Sequence, residues 1–76
     1  SQMRLTRGVE VAIFLYETNV QEYKVSLRSK SYVDVCKVAQ YFGGGGHEKA
    51  SGVTMTGTPQ DILNNLAERI DEQLKG

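Results

Sequence analysis

Three observations predict an α+β fold, a small and mainly antiparallel sheet with helices packed on it. Two successive segments have strand character. Two later segments begin with helix-capping chemistry, and a short alternating segment between glycines separates them. The order reads β-β-α-glycine loop-β-α, as one domain over residues 1–76.

Residues 1–8 carry no pattern that marks an element. From Val9 to Glu17 the chain is apolar on both alternating faces, with Val9, Val11, Ile13 and Leu15 against Ala12, Phe14 and Tyr16. That is the pattern of a central strand covered on both sides. Thr18 to Gln21 is a turn, and Glu22 to Lys30 then alternates as a half-buried strand, with Tyr23, Val25 and Leu27 inward and Lys24, Ser26, Arg28 and Lys30 outward. Ser31 with Asp34 matches a capping box, and Val35, Val38, Ala39 and Phe42 follow at helical spacing up to Gly43. Gly43-Gly44-Gly45-Gly46 reads as a loop, and Val53 to Thr56 as a third short strand. Thr58-Pro59-Gln60-Asp61 is a second capping box with proline at the first helical position, and Ile62, Leu63, Leu66, Ala67, Ile70 and Leu74 form one apolar stripe behind it.

Composition narrows the function classes. A 76-residue chain buries only about 60% of its unfolded surface, so the core is modest. One cysteine excludes an internal disulfide and a thiolate metal cage, and fits a reducing, cytoplasmic setting. The longest apolar run, Val11 to Tyr16, is far below the ~20 residues a membrane helix needs, and no signal-peptide pattern opens the chain. Net charge is zero, yet between Lys24 and Lys49 five basic residues face two acidic ones, while from Thr58 onward four acidic residues face two basic ones. An anionic partner would meet the middle of the chain.

The informative stretch is Phe42 to Gly52. Ordering four glycines costs backbone entropy, and the return is a backbone without Cβ atoms whose N–H groups can line an anion. His47 follows directly, and Lys49 adds charge. A bare four-glycine run is as often a flexible linker; a setting between a helix and a strand favours the anion cradle. Two phosphate motifs are excluded. A Walker loop needs Lys-Ser/Thr where His47-Glu48 stands, and a dinucleotide fingerprint needs a preceding strand and a glycine where Lys49 stands. A single histidine builds no histidine-rich metal site, and His47 has no nucleophile at readable spacing. Cys36, in the first helix, reads as a core residue. By position Arg28 reads as a solvated strand arginine, but its fork also suits phosphate oxygens, with Ser26 and Ser29 beside it.

Gly44-Gly45-Gly46-His47 with Ala50 and Gly52 resembles the G-G-G-H-x-x-A-x-G signature of the DHH-associated domain, first type, the C-terminal partner of DHH phosphoesterases. Gly8 to Ala12, Ser26 to Ser29, Val33 to Val35 and Ala39 to Phe42 fall in family order, so the resemblance covers roughly residues 8–75. It implies a division of labour. A separate DHH domain of the same chain holds a divalent metal, usually manganese, and activates water; the associated domain grips substrate and holds no metal. No Asp-His-His motif occurs here, so the expectation is a C-terminal fragment that binds without hydrolysing.

Ala50-Ser51-Gly52 is similar to the nanoRNase/pAp phosphatase branch, which acts on very short RNA and adenosine bisphosphate. A cyclic-dinucleotide phosphodiesterase or a RecJ-type exonuclease is the alternative within the family, whereas His47 argues against the alanyl-tRNA synthetase branch. A stand-alone single-stranded nucleic-acid-binding module or a dimerisation module is the alternative from another class. The resemblance assigns substrate binding to Arg28, Ser29, Gly43, Gly44, Gly45, Gly46, His47 and Lys49, with His47 touching the phosphate near the scissile bond and no catalytic residue in the fragment itself. The partners expected are a short RNA or nucleotide and the DHH domain, with no membrane; a homodimer of the full-length protein is left open.

Overall fold

The structure, a computed structural model, describes residues 2–7 and 10–75. Its elements run β1 (Gln2–Arg7), β2 (Val11–Asn19), β3 (Glu22–Ser29), α1 (Val35–Tyr41), β4 (Gly45–His47), β5 (Ala50–Thr56) and α2 (Pro59–Lys75). The strands form one antiparallel sheet in the order β1-β2-β3-β5-β4. The α+β class matches the sequence expectation, with two more strands.

Both additions are edge strands. Residues 2–7, expected to carry no element, pair with β2 from Gln2 opposite Tyr16 to Arg7 opposite Val11. An edge strand needs a partner on one side only, so a short, polar pattern suffices. At the other edge, Gly45 and Gly46 are not loop but strand, paired with Gly52 and Ser51 of β5. β5 accordingly begins at Ala50 and contains Gly52. Gly8 and Val9, the expected start of β2, lie outside the described residues.

The expectation that β2 is covered on both sides is also corrected. Val11, Ile13 and Leu15 are buried with Val25, Leu27, Val53 and Met55 against the helices. On the reverse face Ala12 and Phe14 are half-buried and Tyr16 is exposed. The chain offers its two helices to one face alone. In α2, Ile62, Leu66 and Ile70 are fully buried in that core, each worth roughly 1.5–3 kcal/mol relative to exposure. Thr58 caps α2 by accepting from the Asp61 N–H at 3.2 Å. No helix is long and apolar enough to cross a membrane among the described residues.

The entry to α1 departs from expectation in an informative way. Its cap is Asp34, whose Oδ1 accepts from the Lys37 N–H at 3.1 Å. Ser31 is instead taken by Glu10, a buried carboxylate. Glu10 Oε1 accepts from the N–H groups of Ser31 (3.0 Å), Tyr32 (2.7 Å) and Val33 (3.4 Å), and the Ser31 hydroxyl donates to both oxygens. Burial alone pushes this carboxyl up; the Ser31 hydroxyl and the three N–H groups outweigh it and hold the pKa below the usual carboxylate value. At the far end Gly43 takes φ +90. Its N–H reaches the Gln40 carbonyl, and the Gly44 N–H reaches that of Ala39 at 2.8 Å. This is the paired closure that a left-handed glycine permits.

A depressed folded-state pKa contributes stability that is complete above the unfolded value and lost as pH falls through the folded one. Glu10→Gln is therefore expected to destabilise the domain at neutral pH and to flatten the acid limb of its stability curve. Urea unfolding between pH 7 and pH 3 checks this; an unchanged acid limb would remove Glu10 from the account.

Candidate functional site

The open face of the sheet is legible from register. Arg28 stands opposite Ala12 on one side and Ala50 on the other, and Ala50 stands opposite His47. Directly paired residues share a face, so Ala12, Arg28, Ala50 and His47 form one row on the uncovered side. Arg28 and His47 are two strands apart, about 10 Å between Cα atoms, with only the Ala50 methyl between them. Both are exposed. Arg28 makes no hydrogen bond or ion pair among the described residues.

His47 is held by its own turn. Its Nδ1 accepts from the Lys49 N–H at 3.1 Å. In the neutral ring the proton then sits on Nε2, which faces outward as a donor. The Lys49 carbonyl accepts from the Ser29 N–H at 2.9 Å, and the Glu48 carbonyl from the Val35 N–H at 2.9 Å. The turn is thus pinned to the end of β3 and the start of α1. Lys49 is exposed beside His47, with its backbone rather than its ammonium engaged.

The four glycines divide by what a side chain would meet. At Gly44 a Cβ would lie 2.3 Å from the Gly52 carbonyl oxygen and 2.5 Å from the Val53 Cβ. At Gly46 it would lie 2.7 Å from the Ser51 Cα, and φ there is +144. Both glycines let β4 lie against β5. Gly43 closes the helix. At Gly45 a Cβ would meet nothing within 4 Å, so no contact within the chain demands glycine there. Through its pairing with Gly52, itself opposite Ser26, Gly45 lies on the open face beside the Arg28–His47 row.

Ser29 is not brought to this row. It stands opposite Val11 on the covered face, with its Oγ buried and without a hydrogen-bond partner. Ser26, half-buried, shares the face with Arg28; the period of two along β3 is the signal that separates them. Cys36, expected in the core, is half-buried, and its thiol donates to the Gly46 carbonyl at 3.2 Å. Ser51, buried, donates to the Val35 carbonyl at 2.7 Å. Two shallow grooves lie elsewhere, one along Lys37, Tyr41 and Arg69 and the other along Phe42, Thr54 and Asn65. Among the described residues no group of three or more His, Cys, Asp or Glu is placed to hold a metal ion. What the face presents is a guanidinium, an imidazole N–H and a bare backbone, a set suited to oxyanions.

Comparison with known proteins agrees with the signature residues. The sequence model of the DHHA1 domain matches residues 1–76. The oligoribonuclease NrnB of Bacillus subtilis is 45% identical over 49 residues, covering 63% of this chain and 12% of that protein. The bifunctional oligoribonuclease and PAP phosphatase NrnA of Thermus thermophilus is 34% identical over 73 residues, covering 95% of this chain and 22% of that protein. The chain thus spans less than a quarter of either relative's length.

The glycine geometry separates folding from binding. Gly44→Ala is expected to cost about 1–3 kcal/mol of stability through overpacking, and Gly45→Ala no more than about 0.5 kcal/mol. Thermal unfolding of the two variants checks the contrast; equal losses would mean that β4 does not sit as described.

Proposed function

The chain belongs to the DHHA1 domain family, and on that premise we propose that it grips the substrate of a phosphoesterase acting on short oligoribonucleotides and adenosine bisphosphate. The observation that carries this reading is the row in which Arg28 and His47 flank Ala50 on the uncovered sheet face. An arginine fork offers parallel N–H donors to two phosphate oxygens. The His47 Nε2–H adds a third donor from the other side, and the missing Cβ of Gly45 lets the phosphate or ribose approach the backbone. Lys49 supplies further positive charge at that end. Ser29 drops out of the gripping set, since its hydroxyl faces the core.

On this reading these groups bind substrate and stabilise charge. Donors aimed at a phosphate lower the barrier to the extent that negative charge grows there in the transition state. The metal that the family resemblance implies belongs on this reading to the DHH domain; among the described residues no group of three or more His, Cys, Asp or Glu is placed to hold one. Hydrolysis on this reading belongs to a DHH domain outside the 76 residues.

Titration of the chain with a 5′-phosphorylated diadenylate and with adenosine 3′,5′-bisphosphate, followed by amide chemical shifts at low salt, tests the proposal. Arg28→Ala and His47→Ala are each expected to weaken binding roughly tenfold or more, the scale of a lost hydrogen bond to a charged group, with unchanged melting temperature. Affinity equal to the unmodified chain in both variants would overturn the assignment.

A further inference from the structure

We infer that the open sheet face carries a nucleotide path extending beyond the Arg28–His47 row, with Tyr16 as a base-stacking surface and Lys24 as a second phosphate contact. The inference rests on the proposed phosphate-gripping role of that row and names where the rest of the strand goes.

Register supplies the geometry. One row along from Arg28, Phe14 stands opposite Ser26, Ser26 opposite Gly52, and Gly52 opposite Gly45. One row further, Tyr16 stands opposite Lys24 and Lys24 opposite Thr54. Successive rows on one face are about 7 Å apart, so Lys24 lies about 14 Å along β3 from Arg28. That spacing leaves room for an unstacked nucleotide at each row. The middle row has side chains no larger than serine from β3 to β4, so it forms a low floor between two cationic rows.

The chemistry points to one occupant. Tyr16 is 39% exposed on the sheet and has no hydrogen-bond or ring partner among the described residues. Lys24 and Arg28 are both exposed, and on this face of β2, β3 and β5 no acidic residue lies between their rows. The face's Glu22 lies beyond Lys24, where its carboxylate accepts from the Thr18 hydroxyl. A protein interface core is depleted in charge; two cationic rows with an exposed ring beside one of them suit single-stranded nucleic acid, whose bases stack on aromatic faces while its phosphates track positive charge. The continuity of these rows with the Arg28–His47 row sets the direction.

The test compares 5′-phosphorylated oligoadenylates of two and five nucleotides, titrated into the chain at one low salt concentration. The unmodified chain is expected to bind the pentamer at least about fivefold more tightly than the dimer, the scale of one stacked base. Tyr16→Ala and Lys24→Ala are each expected to abolish most of that gain while leaving dimer affinity unchanged, and Tyr16→Phe to retain it. A pentamer that gains nothing, or a gain that survives Tyr16→Ala, overturns the path even where the dimer still depends on Arg28. Dimer binding indifferent to Arg28 and His47 overturns the phosphate-gripping reading and the path with it. Unmoved Tyr16 and Lys24 amides under saturating pentamer also overturn the path.

Discussion

Five consecutive backbone N–H groups, from Ser31 to Val35 at the first residue of α1, find acceptors outside any ladder or helix, and the arrangement of the domain follows from where they find them. Glu10 takes the first three. The side-chain oxygen of Gln73 takes that of Asp34 at 2.8 Å while its amide donates to the Asp34 carbonyl at 3.0 Å. The Glu48 carbonyl takes Val35. An unpaired buried N–H costs about as much as a lost hydrogen bond, so this short segment draws together the start of β2, the last turns of α2 and the β4–β5 turn. His47 is adjacent to Glu48, and its position is thereby inherited from the accounting of a distant junction.

The glycines finish what the junction begins. Gly44 and Gly46 are required because β5 lies too close for any Cβ, and the Cys36 thiol holds the Gly46 carbonyl from the helix side. Gly45 faces outward and is free of that demand. A single run of identical residues therefore carries two kinds of constraint, alternating with the pleat. The serine pair around Arg28 divides the same way. Ser26 belongs to the face that meets solvent, whereas Ser29 faces the core with an unpartnered hydroxyl.

Most of the framework was legible in the sequence because it rests on local rules. The alternation of β3, the apolar stripe of α2 and the Thr58-Pro59 start need no knowledge of the rest of the chain. The signature residues also marked the site's glycines and histidine. What was hidden depends on long-range pairing. β1 is ordered by β2, and β4 is a strand only because β5 lies beside it. Ser31 resembles a cap but is claimed by Glu10, 21 residues earlier. The exposed reverse face of β2 is not legible from pattern, because apolar alternation on both faces does not say how many helices exist to cover them. Three of the residues on that face, Ala12, Phe14 and Tyr16, are apolar or aromatic without a helix above them.

The glycine strand lies at the margin of the sheet, three residues long and hydrogen-bonded on one side only. Open strand margins are the usual templates for unwanted self-association, and proteins blunt them with short or charged segments, proline or bulges. Here the margin is only three residues long, so it offers few free backbone groups for a second strand to pair with. The shortness that keeps this edge a poor template also leaves the backbone of Gly45 uncovered, and lengthening the strand with β-branched residues would change both together.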